Sequence, residues 1–121
     1  PDAANPRAPN TMGHILRWRE DGGFAGTRFA WEHFVLAGDP ANERSDTRGT
    51  VKGDAFGSPD GLMIDARGLL WIQTDASASK IGRGDYARLG HNQMLCADPA
   101  SGEVRRFLTG PAGCEITGAL M

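Results

Sequence analysis

Gly57-Ser58-Pro59-Asp60-Gly61-Leu62-Met63-Ile64-Asp65-Ala66-Arg67-Gly68-Leu69-Leu70-Trp71-Ile72-Gln73-Thr74-Asp75 reads as strand, tight turn, strand. The arms are Gly61 to Ile64 and Leu69 to Gln73. Asp65-Ala66-Arg67-Gly68 makes the turn, with Gly68 free to take a positive φ. Ser58-Pro59-Asp60-Gly61 brings a carboxylate in just ahead of an apolar, buried strand. A β-propeller sets ligands around its central channel with acidic groups at such strand entries. The stretch therefore predicts a propeller blade, with Asp60 as a candidate metal ligand.

Further turn-punctuated strands lie on either side. His14 to Arg19 alternates apolar and polar residues, Glu20-Asp21-Gly22-Gly23 turns, and Arg28 to Ala37 returns. Asn92 to Ala97, the turn Asp98-Pro99-Ala100-Ser101-Gly102 and Glu103 to Leu108 form a second hairpin. Ile116 to Met121 is expected to open one more strand. Gly38 to Gly57 and Asp75 to Gly90 read as loops, and loops this long are often functional or mobile. The expectation is an all-β chain with about seven strands and hardly any helix.

The two hairpins resemble each other, and each leads through a loop to an acidic strand entry. One entry is Ser58-Pro59-Asp60-Gly61-Leu62 and the other Cys114-Glu115-Ile116-Thr117-Gly118-Ala119. The repeat is about 57 to 79 residues, longer than a standard blade of roughly 40 to 50, so the loops carry insertions. On this register the chain is a partial β-propeller of about one and a half to two blades. It has an outer half-blade at about 1–40, a complete blade at about 58–110 and the first strand of the next blade at about 115–121. A free-standing small β-sandwich is the competing reading.

Composition narrows the function. The net charge is -2, with 40% hydrophobic and 23% charged residues. A basic surplus is missing, and the aromatic residues are not interleaved with Lys or Arg, so the expectation is no nucleic-acid partner. An apolar run of about 18 residues is missing too, so no membrane-spanning helix is expected. Gly 17 and Pro 7 favour short strands joined by turns. Both ends are abrupt and read as cuts from a longer protein. An outer half-blade and a lone terminal strand would leave raw edges, which predicts a homodimer joined through exposed strand edges.

Asp60 and Glu115, each just before an innermost strand, are the two candidate metal ligands. A calcium ion takes about six to eight oxygens, so a ring of blades is needed and no metal is expected to stay on this stretch alone. For Asp60 the competing reading is an ordinary turn residue. His14, His33 and His91 lack zinc spacing. Ser58, Ser77 and Ser79 lack a nucleophile elbow. Cys96 and Cys114 read as free thiols, with a disulfide between them as the competing reading, and Trp18, Trp31 and Trp71 read as packing residues between blades or sheets.

In order along the chain, these motifs resemble the PhoX-type alkaline phosphatases. They include Asp2-Ala3-Ala4-Asn5-Pro6-Arg7-Ala8, Gly13-His14-Ile15-Leu16-Arg17-Trp18, Phe34-Val35-Leu36-Ala37-Gly38-Asp39-Pro40 and the opening stretch. Asn92-Gln93-Met94-Leu95, the hairpin from Asp98 to Pro111 and Gly113-Cys114-Glu115-Ile116-Thr117-Gly118 complete the set. The resemblance implies a longer bacterial propeller exported by the twin-arginine route to the periplasm or beyond. It implies hydrolysis of phosphate esters with Ca²⁺ and Fe³⁺ in the channel. Glu115 is then a ligand of that cluster, while Asp60 is named on its strand-entry position alone. The family's metal-binding cysteine lies nearer the N-terminus, so neither Cys96 nor Cys114 inherits its role. Two other functions stay open, a non-catalytic Ca²⁺-binding propeller scaffold and a gluconolactonase-like hydrolase.

Overall fold

A computed structural model describes residues 1–120 of the chain. Seven strands follow in order: β1 (His14–Glu20), β2 (Phe29–Leu36), β3 (Lys52–Gly53), β4 (Pro59–Ile64), β5 (Leu70–Thr74), β6 (Gln93–Ala97) and β7 (Glu103–Thr109). The single helical element among the described residues is a short 3-10 turn, Gly84–Tyr86. The chain is all-β, a partial propeller.

All five residues of β5 are buried, because the strand has β4 on one side and β6 on the other. A strand covered on both faces and both edges reads as a continuous apolar run, which is how Leu70-Trp71-Ile72 reads. β4, β5, β6 and β7 form an antiparallel meander, the unit of a propeller blade. β1 and β2 form a separate antiparallel pair. One face of the meander presents Leu70, Ile72, Leu95, Ala97 and Val104 to a core shared with Ile15, Val35, Met12 and Phe56.

Several expectations need correction. β4 is not a buried strand, since its residues alternate between half-buried and exposed. It is the edge of its sheet, with β5 as its one neighbour. Ile116 to Leu120 is not a strand, and Met121 lies outside the described residues. A strand needs a ladder partner, and among the described residues this stretch has none.

The segment from Gly38 to Gly57 is not a loose loop. Thr47, Val51 and Phe56 are buried within it. Its β3 adds a fifth strand to the larger sheet, parallel to β7. The tryptophans also divide. Trp71 is 6% exposed and stacks edge-on against Phe107 at 5.1 Å, whereas Trp18 and Trp31 are 60% and 41% exposed. Arg106 on β7 is tied to its neighbours. Its backbone N–H donates to Asp54, and its side chain donates to Gln93 and Ala55.

The turn between β4 and β5 is built around Asp65, whose side chain is only 4% exposed. It accepts hydrogen bonds from the backbone of Arg67 (2.9 Å) and Leu69 (3.0 Å) and from the Trp71 indole (3.1 Å). Arg67 pairs with it at 3.0 Å. Burial alone pushes the Asp65 carboxyl up. The bonds from Trp71, Leu69 and Arg67 outweigh that and hold it well below the usual carboxylate range. A carboxyl depressed in the folded state stabilises above its unfolded pKa, about 4. That stability is lost as pH falls through the folded value. Asp65→Ala is therefore expected to lower the thermal midpoint by several degrees at neutral pH. The gap to the parent sequence should narrow in strong acid. A gap that stays constant in thermal melts from pH 7 down to pH 2 would contradict this account.

Candidate functional site

The features of interest gather at one end of the larger sheet, where β4 begins and β5 ends. Antiparallel pairing puts Pro59 opposite Thr74 and Gln73 opposite Met94. The entry to β4, the exit of β5 and the entry to β6 are thus neighbours.

Ser58 sets the entry angle of β4. Its φ of 52° lies in the left-handed region, where a residue with a Cβ is strained. Three contacts hold it there. Its N–H donates to the Met12 carbonyl at 2.7 Å, and its carbonyl accepts from the Asp75 N–H at 3.0 Å. Its hydroxyl lies 2.7 Å from that of Tyr86. The Tyr86 hydroxyl donates to the Thr11 carbonyl at 2.7 Å, so the proton between Ser58 and Tyr86 comes from Ser58. Burial pushes the Tyr86 phenol up, against the opposing pull of Ser58 and Arg7.

Beyond Ser58 the register with β5 shifts between Pro59 and Leu62. Asp60 and Gly61 occupy this irregularity, and the Asp60 side chain is exposed. Gly61 is where the chain after β7 crosses. A Cβ here would lie 3.3 Å from the Thr117 carbonyl and collide with the Gln73 amide oxygen. Gln73 is 1% exposed, and its Nε2 has no hydrogen-bond partner among the described residues.

Asn92 ties this end together. Its Oδ1 accepts from the Ala76 N–H (2.7 Å) and the Thr74 hydroxyl (3.2 Å). Its Nδ2 donates to the carbonyls of Ala76 (3.1 Å) and Cys114 (2.9 Å). Above it opens a pocket of about 240 Å³ lined by Asp75, Ser77, Ile81, Asn92, Cys114 and Glu115. The pocket lining includes two acidic residues, Asp75 and Glu115, and both are exposed to solvent.

Glu115 therefore lies where a ligand could reach it. Asp60 lies at the same end of the sheet but does not line the pocket. Asp75 is a pocket residue that the sequence pattern does not single out, since it reads there as the start of a loop. Its signal is topological, because the end of β5 must lie beside the start of β4. His14 and His33 meet edge-on at 5.5 Å on the β1–β2 pair. Asn10 contacts the His14 ring at 2.7 Å, and burial, followed by His33 and Arg7, pushes its imidazole down. Cys96 and Cys114 are free thiols.

Oxygen donors of this kind suit hard cations. Among the described residues no group of three His, Cys, Asp or Glu is arranged to hold a metal ion. The pocket fits a contributor to a larger oxygen-ligand set.

Compared with known protein families, the chain matches the description "Alkaline phosphatase PhoX" over residues 1–121. A search of curated proteins gave no match. Among solved structures, it is similar to Pseudomonas fluorescens PhoX in complex with vanadate, described as a transition state analogue. The two share 48% identity with a TM-score of 0.82 over 94% of this chain and 20% of that one. The chain thus spans about a fifth of the length of that relative.

Proposed function

Because the chain belongs to the alkaline phosphatase PhoX family, we propose that it is one part of a longer metal-dependent phosphatase. That protein would hydrolyse phosphate esters at the end of the sheet carrying Asp75 and Glu115. The observation that carries this reading is that two acidic residues, Asp75 and Glu115, line one solvent-open pocket. The vanadate held by the Pseudomonas relative supports phosphoryl chemistry, since vanadate imitates the five-coordinate geometry of phosphoryl transfer.

Metal ions held there, Ca²⁺ and Fe³⁺ on this reading, would supply Lewis-acid stabilisation of phosphate oxygens and of the displaced group. This chain's part is to supply anionic oxygens. Glu115 and Asp75 would hold the metal, with Asp60 as an outlying carboxylate on β4. Ser58, fixed by Met12, Asp75 and Tyr86, keeps the entry to β4 in one conformation. Asn92 keeps the two carboxylate-bearing segments together. Preorganised charge of this kind needs little rearrangement as the reaction proceeds.

The test is turnover of p-nitrophenyl phosphate by the full-length protein, before and after chelation, with orthovanadate as inhibitor. The expected result is hydrolysis that chelation abolishes, metal restores and vanadate inhibits. A full-length protein that binds Ca²⁺ without turnover supports the scaffold reading instead. One that opens lactones and leaves the phosphate ester intact supports the gluconolactonase-like reading.

A further inference from the structure

We propose that Asn92 is a positioning residue for the pocket, fixing Asp75 and Glu115 relative to each other. This rests on the reading of the pocket given above. Asn92 is 3% exposed, and its amide uses its full capacity of two accepted and two donated hydrogen bonds. The partners matter more than the count. Ala76, bonded through both its N–H and its carbonyl, directly follows Asp75. Cys114, bonded through its carbonyl, directly precedes Glu115. One rigid side chain therefore grips the backbone next to each carboxylate.

Two further bonds fix the clamp. The Thr74 hydroxyl that donates to Asn92 also accepts from the Gln93 N–H at 2.9 Å, so the amide cannot rotate freely. The Asn92 carbonyl accepts from the Gly110 N–H at 2.7 Å, which anchors the chain leaving β7 on its way to Cys114. A Cβ at Gly110 would collide with the Cys114 sulfur, so the approach of these segments is close as well as bonded. Asn92 also lines the floor of the pocket. Groups that orient metal-binding side chains commonly change affinity or activity about 10- to 100-fold when removed.

Asn92→Asp separates the halves of the clamp. A carboxylate keeps the acceptor toward Ala76 N–H and Thr74 but faces the Ala76 and Cys114 carbonyls with no proton to donate. In the full-length protein, kcat for p-nitrophenyl phosphate is expected to fall about 10- to 100-fold, with a much smaller change in KM. The Ca²⁺ concentration needed for half-activation should rise. Acidification should restore part of the activity of Asn92→Asp relative to the parent protein, because protonating the substituted carboxyl regains one donor. Hydrogen exchange should quicken over residues 110–118 while the Ala76 N–H stays protected. Thr74→Val, which frees one side of the amide and preserves volume, should move the same quantities less and covers a failure of Asn92→Asp to fold.

Losses that track only the unfolded fraction, with no change in Ca²⁺ requirement or pH profile, overturn the positioning role. So does normal activity in both variants. Glu115→Gln and Asp75→Asn separate the two failures. If they lose activity while the Asn92 and Thr74 variants keep it, the Asn92 proposal fails and the pocket stands. If they keep it, the pocket reading fails and Asn92 with it.

Discussion

Turnover of p-nitrophenyl phosphate by the full-length protein is expected to fall about a hundredfold when Glu115 is replaced by Gln. The substitution keeps shape and removes charge. Glu115 is exposed, so the fold loses little. What is lost is an anionic oxygen at a pocket with only one other carboxylate in its lining, Asp75. A neutral amide oxygen is a weaker ligand for a hard cation than a carboxylate. Asp75→Asn is expected to act similarly and Asp60→Asn less, because Asp60 lies outside the pocket. The decisive comparison is kcat against thermal midpoint. Glu115→Gln with a normal midpoint and normal kcat removes Glu115 from the site.

Phe56→Ala is expected to destabilise the chain by about 3–5 kcal/mol, the usual range for deleting a buried aromatic ring. Phe56 is 0% exposed and is the largest of the fully buried side chains. It belongs to the core that joins the β1–β2 pair to the larger sheet. Its carbonyl accepts from the Gly38 N–H at 2.7 Å, so the segment's two ends are tied where the ring packs. Domains are stable by only about 5–15 kcal/mol, so the loss is a large share of the total. Urea unfolding monitored by tryptophan fluorescence should show the midpoint shifting with little change in slope. A shift worth less than about 1 kcal/mol would mean that the segment contributes little to the core.

Much of this arrangement is visible in the residues, and the exceptions share one cause. The hairpins at 14–36 and 93–109 are legible because alternation and turn chemistry act locally. Gly68 takes φ +82°, as its turn requires. The segment 38–57 is less legible because the burial of Val51 and Phe56 depends on strands far away in sequence. The stretch after Glu115 has strand-like residues but, among the described residues, no ladder partner, and pattern alone cannot supply one. Glu115 stands out as an acid before an apolar run. Asp75 and Asn92 do not, because what joins them is the shared end of three neighbouring strands.

The parallel pairing of β3 with β7 bears on the order in which the chain assembles. Lys52 meets Glu103 and Gly53 meets Val104, so the contact encloses all of β4, β5 and β6. Closing so long a loop costs entropy before any bond repays it, whereas β4 to β7 can zip up through successive short turns. The nascent chain makes β3 early and can use it only after β7 exists. Until then Lys52 and Gly53 have no strand to pair with, so the outer rim of the sheet is expected to be the last seam to close.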